Sequence, residues 1–216
     1  MNLPNGLTVA RIIVTPAIAA LPFVETSGAR LVAFVLFLAA AISDWFDGHL
    51  ARTRQQETDL GRMLDPLADK LLLVGTFVPM YFLAHKFEFI TPYGNYDLPW
   101  WVVAIIIGRE VTMTWFRQFA ARRGVVIEAI WPAKWKTTIQ LIWSGAAYCW
   151  FWLATLMLEH GWTGPVSRTI GMVLGSIGAL AMLVAIALTL YSLYIYMRDY
   201  GYLLRTPAIP RKPVSS

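Results

Sequence analysis

The sequence predicts an all-α, polytopic membrane protein with six transmembrane helices and both termini in the cytoplasm. Three observations lead to this prediction. The chain of 216 residues is 57% hydrophobic and only 14% charged, which is far more apolar than a soluble domain of this length. Its apolar residues gather in runs, most of them near the ~20 residues that a helix needs to cross a bilayer. Its positive charges concentrate in alternate connecting segments.

The predicted helices follow one another with short polar connections. The second is apolar until a polar end, and the fourth is interrupted by Arg109 and Glu110. The sixth is longer than a bilayer requires, so it is expected to tilt or to protrude. In chain order, the predicted helices are Leu7–Phe23, Leu31–Arg52, Pro66–Ala84, Leu98–Arg117, Thr138–Leu158 and Ile170–Met197.

The distribution of positive charge predicts the orientation. Of the 18 Lys and Arg residues, 13 lie on one side of the predicted helices, and only Arg30, Lys86 and Arg168 lie on the other. Cytoplasmic loops carry the excess of Lys and Arg in membrane proteins. Both termini are therefore predicted to be cytoplasmic. The net charge of +5 is explained by topology, and we expect no nucleic-acid partner.

The chain is predicted to form one membrane domain over residues 1–205, followed by a disordered cytoplasmic tail over residues 206–216. The tail combines three prolines with basic residues, a composition that cannot bury a core. We expect no cleavable signal peptide, because Met1–Gly6 has no basic segment ahead of the first apolar run. The single cysteine, Cys149, allows no disulfide within the chain.

Four aspartates recur at fixed spacings around the connection Thr53–Leu60. A charged side chain at membrane depth costs about 2.5–3.5 kcal/mol, so four would cost on the order of 10 kcal/mol unless something offsets them. Residues three or four apart share one face of a helix, so each of the two helices carries a single stripe. These stripes consist of Asp44, Asp47, Gly48, Ala51 and Arg52 on the second helix, and of Gly61, Asp65 and Asp69 on the third.

The composition of the two stripes favours a metal site. Carboxylate oxygens without histidine or cysteine select hard cations, so Mg²⁺ or Mn²⁺ is expected rather than Zn²⁺. Four carboxylates can hold two divalent ions, which would neutralise a diphosphate and stabilise both oxygens of an in-line displacement. Arg52 would add a bidentate contact to phosphate. Gly48, Ala51 and Gly61 are small, which lets a ligand or another helix approach closely.

A second group of charges suggests an anion site. Arg109 and Glu110 interrupt an apolar helix, and intramembrane charges are functional candidates by default. Arg117 lies roughly on the same face as Arg109, and Lys134 and Lys136 follow the next predicted cytoplasmic loop. Arginine forks and ammonium groups are the side chains that hold a phosphate dianion. We expect these four cations to bind the phosphate of a second substrate.

The pattern Asp-x2-Asp-Gly-x2-Ala-Arg-x8-Gly-x3-Asp-x3-Asp, from Asp44 to Asp69, resembles the signature of the CDP-alcohol phosphotransferases without a departure. The resemblance implies six membrane helices, cytoplasmic termini and a homodimer in a bacterial inner membrane, with the active site facing the cytoplasm. It also implies transfer of a substituted phosphate from a CDP-linked donor to an alcohol, with release of CMP.

Carried over by position, the resemblance assigns roles within the motif. Asp44, Asp47, Asp65 and Asp69 would bind two divalent cations, and Asp69 would also be the general base on the acceptor hydroxyl. The residues implied to lie at the CDP-linked donor are Asn5, Thr8, Gly48, Ala51, Arg52, Thr58 and Gly61.

Three further stretches resemble the branch of this family that uses CDP-diacylglycerol as donor and glycerol 3-phosphate as acceptor. They are Leu3–Arg11, Gly108–Val111 and Lys134–Gln140. One departure is Ala133, where that branch often has glycine. The acceptor phosphate would then lie at Arg109, Arg117, Lys134 and Lys136.

Other readings stay open at this point. The acceptor could instead be inositol phosphate, phosphatidylglycerol or serine. A divalent-cation transporter would explain the aspartates but not Arg52, Thr58 or the deep Arg109. An assembly protein without activity is disfavoured, because every aspartate of the motif is present.

Overall fold

The computed structural model describes residues 3–54, 59–128 and 130–205, with side chains for residues 5–43, 64–128 and 130–204. The described part is mostly helical. In chain order its elements are α1 (Leu3–Ala20), a 3₁₀ turn (Leu21–Phe23), α2 (Ser27–Arg54), α3 (Asp59–Ala84), β1 (Phe89–Thr91), β2 (Gly94–Tyr96), α4 (Trp100–Arg122), α5 (Trp131–His160), α6 (Pro165–Tyr200) and the short α7 (Tyr202–Arg205).

The six long helices coincide with the six predicted apolar runs, and all but α4 extend beyond their run at the N-terminus. The helical hydrogen-bond pattern continues through polar residues, whereas hydropathy marks only the part suited to lipid. Within the described residues, four stretches are long and apolar enough to cross a membrane: Asn5–Phe23, Leu64–Ala84, Trp131–His160 and Pro165–Tyr200. The apolar part of α2, Ser27–Ser43, is shorter.

These observations confirm a helical membrane protein. Large apolar side chains such as Ile13, Val111 and Leu180 are 70%, 62% and 66% exposed, as expected for surfaces that face lipid. The number of six spans, the cytoplasmic termini and the boundary between a domain and a tail stay predictions. Residues 206–216 lie outside the described part of the chain.

The ends of α5 and α6 are set by proline and glycine. Both helices carry a proline in their first turn, where a missing N–H costs no helical hydrogen bond. Gly161 ends α5 in the left-handed conformation with φ 65°, which favours a residue without Cβ. The short connection folds α6 back along α5, and the two helices pack against each other over much of their length.

A small antiparallel hairpin, which the sequence did not predict, covers part of α6. Phe89 pairs with Tyr96, and Thr91 pairs with Gly94. The Tyr96 hydroxyl donates to the Gly175 carbonyl at 3.2 Å, and burial raises the pKa of Tyr96. Strands of three residues lack the alternation that identifies a strand in sequence.

Among the described residues, the core consists of three clusters that join different sets of helices. One joins α3, the hairpin, α4, α5 and α6 around Phe77, Met80 and Trp143. A second joins α1, α2, α3 and α5 around Ile18 and Phe37. The third fastens the end of α6 and α7 to α4 and the segment before α5; its buried members include Met113, Phe116, Ile127, Tyr196 and Leu203.

Candidate active site

Helix α1 supplies two buried polar side chains that hold two aspartates of α3. Thr8 and Arg11 are three residues apart, and Asp65 and Asp69 are four apart, so each pair shares one helix face. The Thr8 hydroxyl donates to Asp65 Oδ1 at 2.7 Å, and Arg11 Nη1 donates to Asp69 Oδ1 at 3.1 Å. Thr8 and Arg11 are each 2% exposed, whereas the Asp69 side chain is 59% exposed. Side chains of α1 therefore fix the two carboxylates on one side, and the Asp69 carboxylate stays accessible on the other.

Glu110 organises the cations between α4 and α5. Its Oε1 accepts from Arg109 Nη1 at 3.0 Å and also from the Lys136 ammonium. The side chains of Arg109 and Lys136 are only 6% and 3% exposed. Two buried cations around one carboxylate leave this cluster with a formal excess of one positive charge.

A cavity of about 510 Å³ connects the aspartates with the cations. It lies between α2, α3, α4 and α5. Asp65 and Asp69 lie on the α3 wall, and Arg117 and Lys136 lie on the α4 and α5 walls. The other lining residues combine apolar side chains, such as Phe37 and Phe77, with polar ones. The cavity therefore presents acidic and basic groups to the same volume, beside a surface suited to hydrocarbon.

The structure brings together four of the predicted site residues in this cavity, namely Asp65, Asp69, Arg117 and Lys136. Thr8 contacts Asp65 from behind, and Asn5 is buried on α1 at 7% exposure. Lys134 is exposed in the first turn of α5 and is not among the lining residues. Arg109 lies behind Glu110, where its Nη2 donates to Ser192 at 3.0 Å.

The remaining predicted residues lie outside the side chains that the structure describes. Asp44, Asp47, Gly48, Ala51 and Arg52 belong to α2, and Gly61 belongs to α3, but their side chains lie outside the described set. Thr58 falls outside the described residues altogether. The convergence of four carboxylates and the roles assigned to these residues stay predictions.

Sequence reasoning missed three residues that organise the cavity. Arg11 could have been found with the rule that singled out Arg109, because it is a lone charge in an apolar helix. Glu110 was noted only as a neighbour of Arg109, and its contact with Lys136 depends on how two helices pack. Tyr196, which contacts Arg117 at 3.2 Å, has no sequence signal that distinguishes it from the other tyrosines of α6.

The donor set fits a hard divalent cation as far as it is described. Asp65 and Asp69 offer oxygen ligands one turn apart at an open cavity, without histidine or cysteine beside them, as Mg²⁺ and Mn²⁺ prefer. Within the residues described, no group of three or more acidic, histidine or cysteine side chains forms a complete site. Asp44 and Asp47 would have to complete it.

Comparisons with known proteins agree on a family. A family model described as CDP-alcohol phosphatidyltransferase matches residues 1–197. A probable phosphatidylglycerophosphate synthase of Mycobacterium tuberculosis is 38% identical over 144 residues, which cover 65% of this chain and 63% of that protein. A CDP-diacylglycerol–glycerol-3-phosphate 3-phosphatidyltransferase of Rickettsia typhi is 32% identical over 197 residues, 91% of this chain and 96% of that protein.

A cardiolipin synthase (CMP-forming) of Oryza sativa subsp. japonica is 31% identical over 211 residues, which cover 94% of this chain and 59% of that protein. The chain thus spans less than two thirds of the length of the Mycobacterium and Oryza relatives. The family model nevertheless covers all but the C-terminal end, and the chain belongs to the CDP-alcohol phosphatidyltransferase family.

Proposed function

We propose that this protein transfers the phosphatidyl group of CDP-diacylglycerol to glycerol 3-phosphate, giving phosphatidylglycerol phosphate and CMP. One observation carries the proposal: Asp65 and Asp69 share a single cavity with Arg117 and Lys136. A transferase for two anionic substrates needs an acidic side that holds cations for a diphosphate. It also needs a basic side that receives a second phosphate.

The donor would approach from the membrane. Its acyl chains would stay among the apolar side chains, and its diphosphate would reach the aspartates of α2 and α3. Two divalent cations, Mg²⁺ or Mn²⁺, held by Asp44, Asp47, Asp65 and Asp69, would supply neutralisation of the diphosphate charge. Asn5, Gly48, Ala51, Arg52, Thr58 and Gly61 are proposed to contact the CDP part, while Thr8 fixes Asp65.

The acceptor would enter from the cytoplasm with its phosphate against Arg117 and Lys136. Asp69 would take the proton of the acceptor hydroxyl. The hydroxyl oxygen would then form a bond to the phosphorus that carries the diacylglycerol, and the bond from that phosphorus to CMP would break. We favour this direct displacement because the described cavity lining holds no cysteine or histidine and a single serine, Ser144, which lies on the α5 wall whereas Asp65 and Asp69 lie on the α3 wall. Retention of configuration at phosphorus would contradict it.

A second acceptor is favoured by one specific observation. The Oryza relative is named a cardiolipin synthase, so phosphatidylglycerol is the alternative acceptor for this chain. The Rickettsia relative, which this chain covers at 96% of its length, favours glycerol 3-phosphate. Arg117 and Lys136 together also suit a small dianion better than a lipid phosphodiester with one charge.

The test is CMP release by the detergent-purified protein with CDP-diacylglycerol and Mg²⁺. Glycerol 3-phosphate, inositol phosphate, phosphatidylglycerol and serine are supplied one at a time. Asp69→Asn should abolish release, whereas Asp199→Asn should retain it, because Asp199 pairs with its neighbour Arg198 on α6. Release with glycerol 3-phosphate alone supports the proposal. Release only with another acceptor would keep the chemistry and replace the substrate.

A further inference from the structure

Helix α6 contributes no side chain to the lining of the described cavity, yet it contacts Arg117 in that lining and Arg109 behind Glu110. Ser192 and Tyr196 are four residues apart and therefore share one face of α6. Each is 0% exposed. A serine and a tyrosine buried in an apolar helix need hydrogen-bond partners, and those partners identify what this face does.

Ser192 lies at the start of a chain of contacts that ends at Lys136. The Ser192 hydroxyl donates to the Thr189 carbonyl and accepts from Arg109 Nη2, both at 3.0 Å. Arg109 Nη1 donates to Glu110 Oε1 at 3.0 Å, and the same oxygen accepts a hydrogen bond from the Lys136 ammonium. The position of the Lys136 charge in the cavity therefore depends on Arg109, which α6 holds from behind.

Tyr196 makes a corresponding set of contacts around Arg117. Its hydroxyl donates to the Glu128 carbonyl at 3.2 Å and accepts from Arg117 Nη2 at 3.2 Å. It also accepts from the Ile130 N–H at 3.2 Å. A phenol has one donor and can accept two hydrogen bonds, so this hydroxyl is fully used. The ring adds a contact with the Arg117 guanidinium at 5.7 Å from its centroid.

From these contacts we infer that Ser192 and Tyr196 are positioning residues for the acceptor phosphate: Tyr196 sets Arg117, and Ser192 sets Lys136 through Arg109 and Glu110. This inference rests on the proposed function. Arg117 has an otherwise flexible side chain with exposed surface, and a guanidinium binds phosphate bidentately only when its plane is fixed. Tyr196 fixes the plane of the Arg117 guanidinium, and its hydrogen bonds also join α4, α6 and the segment before α5.

The experiment measures initial rates of CMP release over a matrix of both substrate concentrations. It uses wild type, Tyr196→Phe, Ser192→Ala, Arg117→Gln and the double variant Tyr196→Phe/Arg117→Gln. Tyr194→Phe is the matched control, since Tyr194 is 62% exposed on the same helix. Tyr196→Phe should raise KM for glycerol 3-phosphate about tenfold, with KM for CDP-diacylglycerol unchanged. In the double variant the loss should not exceed that of Arg117→Gln alone.

Equal changes in both KM values, or additive losses in the double variant, would overturn the inference and leave the proposed function standing. If Tyr196→Phe does not fold, Ser192→Ala carries the same KM comparison. Calorimetric binding of glycerol 3-phosphate to wild type and Tyr196→Phe separates the two proposals further. Weaker binding by Tyr196→Phe supports positioning even if wild type releases no CMP. Equal binding of glycerol 3-phosphate by wild type and Tyr196→Phe overturns the positioning role. If wild type neither binds glycerol 3-phosphate nor releases CMP, both proposals are wrong.

Discussion

The cost of losing a carboxylate in this protein should depend on the burial of its cationic partners. Glu110 contacts Arg109 and Lys136, whose side chains are 6% and 3% exposed. Glu25 contacts Lys86 where their side chains are 75% and 54% exposed. Removing one partner of a buried pair leaves an uncompensated charge in a poor solvent, whereas water replaces a lost partner at the surface.

We therefore expect Glu110→Gln to destabilise the protein by about 3 kcal/mol and Glu25→Gln to have no measurable effect. The measurement is the thermal-unfolding midpoint of each purified variant in the same detergent. Similar midpoints for the two variants would mean that the Glu110 cluster is solvated from the cavity and contributes little to stability.

The hydrogen bond from Thr8 to Asp65 offers a test of the acidic wall. Thr8→Val keeps the shape of the side chain but removes the donor at 2.7 Å from Asp65. CMP release should fall about tenfold, and more Mg²⁺ should be needed for half-maximal rate, because Asp65 loses its fixed orientation. Thr15→Val is the control, since Thr15 is also buried but donates to the carbonyl of Arg11 on its own helix. Equal losses in both variants would assign Thr8 a structural role only.

For individual residues, the sequence predicted several that line the cavity, but it did not predict which of them contact each other. Asp65 and Asp69 follow from helical spacing, and Arg117 and Lys136 from charge in or beside apolar segments. The bonds from Arg11 to Asp69 and from Lys136 to Glu110 join residues far apart in sequence. They depend on the rotation of each helix about its axis, which hydropathy does not fix.

Among the elements, the hairpin β1–β2 packs closely against α6 because Gly175 of α6 has no side chain. A Cβ built on Gly175 would lie 1.9 Å from the Ile90 carbonyl oxygen, much closer than any real contact. The Glu88 carbonyl, immediately before β1, accepts a hydrogen bond from the Trp150 indole N–H of α5 at 3.1 Å. The hairpin therefore joins α5 to α6 at the end of the bundle opposite to the aspartates.

Gly175→Ala should separate the hairpin from α6 and lower the thermal midpoint by several degrees, with KM for both substrates unchanged in the folded fraction. Gly28→Ala is the control, because nothing lies within 4 Å of a Cβ at that position in α2. Its midpoint should stay the same or rise slightly, since alanine is the better helix former. An unchanged midpoint in Gly175→Ala would mean that the hairpin docks loosely.

Helices and hairpin differ in how well the sequence predicted them, for a physical reason. Each long helix carries apolar residues over many turns, so their runs predicted all six helices, although within the described residues four stretches are long and apolar enough to cross a membrane. Hydropathy does not mark the polar ends of a helix, and α5 begins seven residues before the predicted start at Thr138. The hairpin is stabilised by its contacts with α5 and α6 rather than by a pattern of its own, so local sequence carries no signal for it.

For the molecule as a whole, the asymmetry of charge and the position of the cavity point to the same orientation. Asp65, Asp69, Arg117 and Lys136 all lie toward the side that is predicted to carry 13 of the 18 Lys and Arg residues. If this side is cytoplasmic, a water-soluble phosphate acceptor made in the cell can reach the cavity directly. The proposed function therefore requires the predicted orientation.

Single-cysteine labelling can test that requirement, because the natural chain has only Cys149. In a Cys149→Ala background, Thr163→Cys places a thiol between α5 and α6, and Arg122→Cys places one at the opposite end, where α4 ends. With intact cells and a membrane-impermeant maleimide, we expect Thr163→Cys to be labelled and Arg122→Cys to react only after permeabilisation. The reverse pattern would put the cavity on the outer side, away from cytoplasmic glycerol 3-phosphate. Labelling of both in intact cells would show that α5 does not cross the membrane.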